Sequence, residues 1–173
     1  MKTHIYLFLL IFSSSLLSCD NKDYDGINNP EVEMYIRQLK SNQYDSRQLP
    51  TFSYKDIPAL LAYRNETRTI SDFPRNPISS LFGPECSLGM YVLWTIESIR
   101  AEAIQSKFLM MGFPSQNPIL ARRDPVDLVL VFDNLSHSTA AKAYFDWWKN
   151  NKNKDFDKFN TIDPLEKTDY RWH

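Results

Sequence analysis

The stretch from Glu85 to Gln105, ECSLGMYVLWTIESIRAEAIQ, keeps a helical period more clearly than any other part of the chain. Leu88, Tyr91, Val92, Ile96, Ile99 and Ala103 fall on one broad apolar face, while Glu97, Arg100 and Glu102 can occupy a wetter one. A stripe that wide needs cover from several sides, so the remaining segments must wrap around a central helix. Trp94 lies at the edge of the stripe and is expected to pack rather than to bind a ligand.

Shorter helices are expected on both sides of it. Asn29 can cap exposed amides while Pro30 takes the first helical position, and Val32, Tyr35, Ile36 and Leu39 then recur on one face. A second helix is expected over IPALLAYRN, residues 57–65, with Ser53 or Asp56 as cap and Pro58 tolerated near the start. Pro74, Pro77 and Gly83 punctuate the connector that follows. In DPVDLVLVFDN the signals conflict: Asp124-Pro125 opens a helix well, whereas Val129 to Phe132 suits a buried strand. With helical neighbours and no visible hairpin partner, a helix is the assignment for 126–132. From Ser136 to Asn150, Ala140, Ala141, Tyr144, Phe145 and Trp148 line one face, with Ser136 or Ser138 as cap. The closing segment keeps spaced aromatics and is expected to pack back in part and end loosely. These elements predict an all-α fold, a single compact multi-helix domain over residues 30–173. A short helical-repeat-like stack and an irregular bundle both fit, and no internal repeat decides between them.

The N-terminus carries a different message. MKTHIYLFLLIFSSSLLSC has a basic start, an apolar run from Ile5 to Phe12 and small polar residues before Cys19, the layout of a secretory signal. The run is short for a permanent membrane span. Leu16-Leu17-Ser18-Cys19 resembles the lipobox of bacterial lipoproteins, with Leu17 where a smaller residue is usual. The expectation is a signal peptide over 1–18 and a lipidated Cys19, followed to residue 29 by a polar, acidic tether, DNKDYDGINN. Membrane lipid is therefore the first expected partner, and the cell envelope the expected location. The acidic tether resembles a surface-export signal, which favours the outer membrane or cell surface.

A formal net charge of −1 gives no electrostatic reason to expect nucleic acid. With Cys19 acylated, Cys86 is the one cysteine left and reads as a small core residue. At IPALLAYRNETRTISDFPRNPISS, GMYVLWTIESIR and STAAKAYFDWWKNN the chain resembles a family of small lipoproteins from Bacteroides and relatives, classified as a domain of unknown function. The resemblance runs across most of the mature chain and implies an α-rich envelope protein; it carries no catalytic residues to transfer.

Few residues of the chain fall into a pattern that carries chemistry. There is no HExxH helix, P-loop, GxSxG elbow or GxGxxG fingerprint, and no cofactor or metal site is expected. His137, between Ser136 and Ser138, invites comparison with a serine hydrolase but lacks a nucleophile turn and reads as a capping or solvent-facing residue. Glu97 and Asp133 adjoin apolar segments and are the carboxylates a glycosidase would use, against an Arg100-paired and a capping role respectively. Asp155, Asp157 and Asp163 do not follow a calcium-loop order.

Recognition is the better expectation. Trp147 and Trp148 adjoin Tyr144 and Phe145, and consecutive tryptophans on a helix point different ways, so either the whole cluster packs in the core, the commoner use, or one enters it while Trp147 faces outward beside Lys149 or Lys152. Arg64, Arg68 and Arg75 form a second candidate surface suited to carboxylates. The residues predict a non-enzymatic protein-interaction module, with a carbohydrate-binding accessory protein as the alternative and a cell-wall glycan hydrolase as a weaker one. An envelope protein or a glycan is the corresponding partner.

Overall fold

The computed structural model describes residues 29–81, 83, 85–124 and 126–173. Its first helix, α1 (Pro30–Lys40), begins as its sequence requires: Asn29 Oδ1 accepts from the Val32 N–H at 3.1 Å, and Val32, Tyr35, Ile36 and Leu39 are the buried face. A 3₁₀ turn over Tyr54–Asp56 runs into α2 (Ile57–Leu61), and Ser53 and Asp56 close a reciprocal capping box around that turn. α2 stops well short of residue 65, giving way to turns before β1 (Thr69–Ile70).

β1 pairs antiparallel with β2 (Cys86–Ser87), which leads directly into α3 (Leu88–Ala103). Every residue of α3 from Leu88 to Ala101 is buried, Glu97 and Arg100 included, so of the expected wet face only Glu102 is exposed. α2 and α4 (Asn134–Asn151) cover two of its sides. Trp94 is fully enclosed against Tyr91 and Phe113, and its indole N–H donates to Ser115 Oγ at 2.8 Å.

The fold is mixed α/β, which overturns the all-α expectation and the helical-repeat-like stack with it. Besides the β1–β2 pair there is a three-stranded antiparallel sheet ordered β4-β3-β5, built from β3 (Leu120–Arg122), β4 (Leu130–Val131) and β5 (Tyr170–Trp172). Residues 126–132 therefore hold a strand, not a helix, because Leu120 and Ala121 offer them a ladder in the register Leu120↔Val131 and Ala121↔Leu130. The end of the chain is not loose: β5 pairs on the other side of β3, and His173 N–H donates to the Ile119 carbonyl at 3.0 Å. β5 reaches β3 from about fifty residues away, which leaves no local signal for that pairing, whereas β3 and β4 are consecutive strands joined through residues 123–129. α4 begins one turn earlier than expected, capped by Asp133 rather than by Ser136 or Ser138.

Candidate functional site

A cleft of about 290 Å³ opens where α3 and α4 begin, with Ser87, Thr69 and Thr67 on one wall and Val131, Phe132 and Asp133 among those on the other. Ser87, at the turn from β2 into α3, caps that helix by accepting from the Met90 N–H. His137 comes from the first turn of α4 and is 7% exposed. Its Nε2 lies 2.8 Å from the Arg64 carbonyl oxygen, which can only accept, so Nε2 carries the hydrogen and Nδ1 is left to accept from Ser87 Oγ at 3.3 Å. Burial holds the imidazole below its ordinary pKa, partly offset by that carbonyl, and keeps it neutral at pH 7.

A neutral histidine facing a serine is half of a hydrolytic site; the other half is a set of amides free to stabilise an oxyanion. Those amides are occupied. Leu88 N–H donates to the Arg68 carbonyl and Gly89 N–H to the Glu66 carbonyl, both at 2.8 Å, and Met90 N–H is taken by Ser87. Burial also pushes the Cys86 thiol pKa up, away from the thiolate range. The arrangement works as a clamp, in which His137 ties α4 to the turn after α2 and to the start of α3. Gly89 makes the close approach feasible, since a Cβ there would sit 2.5 Å from both the Arg64 oxygen and His137 Nε2.

Glu97 and Asp133 are both committed. Glu97 receives Arg100 Nε at 3.0 Å and the Tyr144 hydroxyl at 2.6 Å, and Arg100 also donates to the Asn160 carbonyl at 3.0 Å. Burial acts to lower the Arg100 pKa, but the hydrogen bonds and charge of Glu97 outweigh it and raise it. Burial, aided by the Glu97 charge, raises the Tyr144 pKa, so its hydroxyl stays protonated as a donor while accepting from Trp172 Nε1 at 2.8 Å. Asp133 is held below its ordinary pKa by the Ser136 N–H it caps, the opposite of what a general acid needs.

The aromatic cluster lies inside the protein. Trp147 is 5% exposed and Trp148 is 7% exposed, because Phe156 and Phe159 of the closing segment cover the second side of α4. Tyr144 joins them at full burial, so none of the three offers a flat outer ring to a sugar. A groove of about 530 Å³ runs between α4 and residues 162–168, and Trp147 is among its lining residues. The Trp147 indole N–H is buried and has no hydrogen-bond partner among the described residues.

The three arginines do not form one surface. Arg64 lies over the Phe145 ring at 4.2 Å and donates to the Leu61 carbonyl; Arg75 lies over Phe73 and donates to the Ser71 and Gly83 carbonyls. Arg68 is exposed and borders a shallow site with Arg37 and Lys40 at the end of α1. Asp163 pairs with Arg123 at 3.2 Å. Among the described residues no group of three or more His, Cys, Asp and Glu could hold a metal ion, and no helix is long and apolar enough to cross a membrane. Cys19 and the tether lie outside the described residues.

The outermost apolar surface is one that the aromatic and arginine patterns did not indicate. Around β4, Val126 is 83% exposed, Leu128 58%, Val129 46%, Phe132 75% and Leu135 71%. In the sequence it is an uninterrupted apolar run, Leu128 to Phe132, between Asp127 and Asp133, which period alone does not distinguish from a buried helix segment.

A family model described as Domain of unknown function (DUF4943) matches residues 26–173. No curated protein and no solved structure matches the chain.

Proposed function

The chain belongs to that family, whose description assigns no activity, and on this premise we propose that it is a lipid-anchored envelope protein of the Bacteroides type that acts as a non-enzymatic protein-interaction module. One observation carries the interaction reading: five large apolar side chains within residues 126–135 stand in solvent around a short edge strand, although the core has ample aromatic and aliphatic material to fill it. A soluble domain seldom keeps such a concentration of apolar surface without a use for it. The anchor rests on the lipobox-like segment ending at Cys19, and the outer membrane or cell surface on the acidic tether that follows.

The sugar-binding and hydrolase alternatives have less support. The former needs an accessible aromatic face and Trp147 and Trp148 are enclosed; the latter needs two available carboxyls, and Glu97 and Asp133 are held by Arg100, Tyr144 and Ser136.

The test is fatty-acid labelling in producing cells, combined with crosslinking in the native envelope and mass spectrometry. Labelling that disappears in Cys19→Ser, with a reproducible protein partner that depends on the anchor, is the expected result. Labelling retained in that variant would overturn the anchor, and a folded, labelled protein without a partner would overturn the interaction role.

A further inference from the structure

We propose that the outer edge of β4 accepts an extended apolar strand bearing a basic residue at each end, an inference that rests on the interaction reading above and gives it a partner chemistry. The register supplies the backbone half of the argument. Arg122 N–H donates to the Val129 carbonyl at 2.8 Å, so Arg122/Val129 and Leu120/Val131 are the hydrogen-bonded pairs of the β3–β4 ladder. Leu130 falls between them, and its N–H and C=O point away from β3, toward the open side of a strand that lies at the edge of its sheet.

Side chains supply the other half. Leu128, Leu130 and Phe132 share one face of the extended segment, with Val129 and Val131 on the other, so an added strand meets apolar groups at each position. The same edge borders the cleft lined by Val131, Phe132, Ser87 and Thr69, which gives one side chain of the incoming strand a place to enter. Charge then selects the occupant. Asp127 and Asp133 bound the run three residues to either side of Leu130; both are exposed and neither takes part in an ion pair among the described residues. A second copy paired about Leu130 would bring Asp127 of one chain opposite Asp133 of the other at both ends, which is repulsive. An anionic bilayer meets the same two carboxylates. A strand with lysine or arginine at each end satisfies backbone, apolar face and charge together.

The experiment uses the purified protein with two synthetic peptides, Lys-Val-Thr-Val-Thr-Val-Lys and the same sequence with glutamate at both ends. The lysine peptide is expected to shift resonances from Leu128 to Phe132 and to slow amide exchange at Leu130, and the glutamate peptide to bind about tenfold more weakly at low salt. Leu130→Pro removes the outward donor while leaving the β3 ladder bonds, and should abolish peptide binding. Should that variant fail to fold, Asp127→Lys combined with Asp133→Asn, which keeps a capping side chain, should reverse the preference between the peptides. Equal binding of both peptides, no binding of either, or unchanged exchange at Leu130 would overturn the proposal. So would protection of Leu130 by self-association, or preferential binding to phosphatidylethanolamine–phosphatidylglycerol vesicles. An envelope partner that crosslinks equally well to Leu130→Pro would overturn this inference and leave the interaction reading standing; a wild-type protein without any partner would remove both.

Discussion

Replacing Tyr144 with phenylalanine removes one oxygen from the junction of α3, α4 and β5 and leaves the ring in place. That hydroxyl donates to Glu97 Oε2 at 2.6 Å and accepts from Trp172 Nε1 at 2.8 Å. Losing a hydrogen bond to a buried carboxylate costs about 1.5–3 kcal/mol. Trp172 is only half-buried, so water can replace its acceptor and that loss adds about 0–1 kcal/mol. Tyr144→Phe should therefore destabilise the fold by about 1.5–4 kcal/mol, with Tm falling by about 2–4 °C for each kcal/mol in a chain of this size. Urea unfolding followed by tryptophan fluorescence reads the change. In a Trp172→Phe background the cost should shrink by up to about 1 kcal/mol, because one of the two partners is already gone. A Tyr144→Phe protein within about 0.5 kcal/mol of wild type, at an unchanged m value, would refute the claim that this hydroxyl joins the three elements.

Gly89→Ala should destabilise by about 1–3 kcal/mol through overpacking against the Arg64 carbonyl and His137, less about 1 kcal/mol of gained helix propensity; a stabilised variant in the same urea assay would contradict the clamp. The folded-state pKa of His137 lies below its ordinary 6.5, so between the two values the unfolded chain binds more protons and stability rises with pH. The His137 contribution should be complete above about pH 6.5 and lost as pH falls toward the folded value, and comparing wild type with His137→Ala across that range by thermal melts should reveal a pH-dependent difference. Trp147→Ala should cost about 3–5 kcal/mol as a core deletion, and a variant of near wild-type stability would contradict its burial.

What the sequence made legible was local. α1 could be read from Asn29, Pro30 and the spacing of Val32, Tyr35, Ile36 and Leu39, since cap and stripe lie within a few residues of one another. The sheet could not, because β3 finds β5 about fifty residues away and β4 becomes a strand only when β3 is present to pair with it. Glu97 and Arg100 look like a solvated face by period alone; Tyr144 and the Asn160 carbonyl, from distant parts of the chain, complete their hydrogen bonds and allow both to be buried. The same closing segment hides both tryptophans: Trp147 and Trp148 both pack on Phe159, so neither faces outward as the helical wheel of α4 allowed. His137 and Ser87 are fifty residues apart, and nothing in either neighbourhood announces their contact.

The interaction account is tested most directly by a photoreactive amino acid in place of Phe132 in producing cells, with the same probe in place of exposed Lys55 as control. The account predicts a discrete protein adduct from position 132 that is absent from position 55 and lost in Cys19→Ser. No adduct at 132, or the same adduct from both positions, would contradict the claim that the β4 arm is the surface through which this protein works.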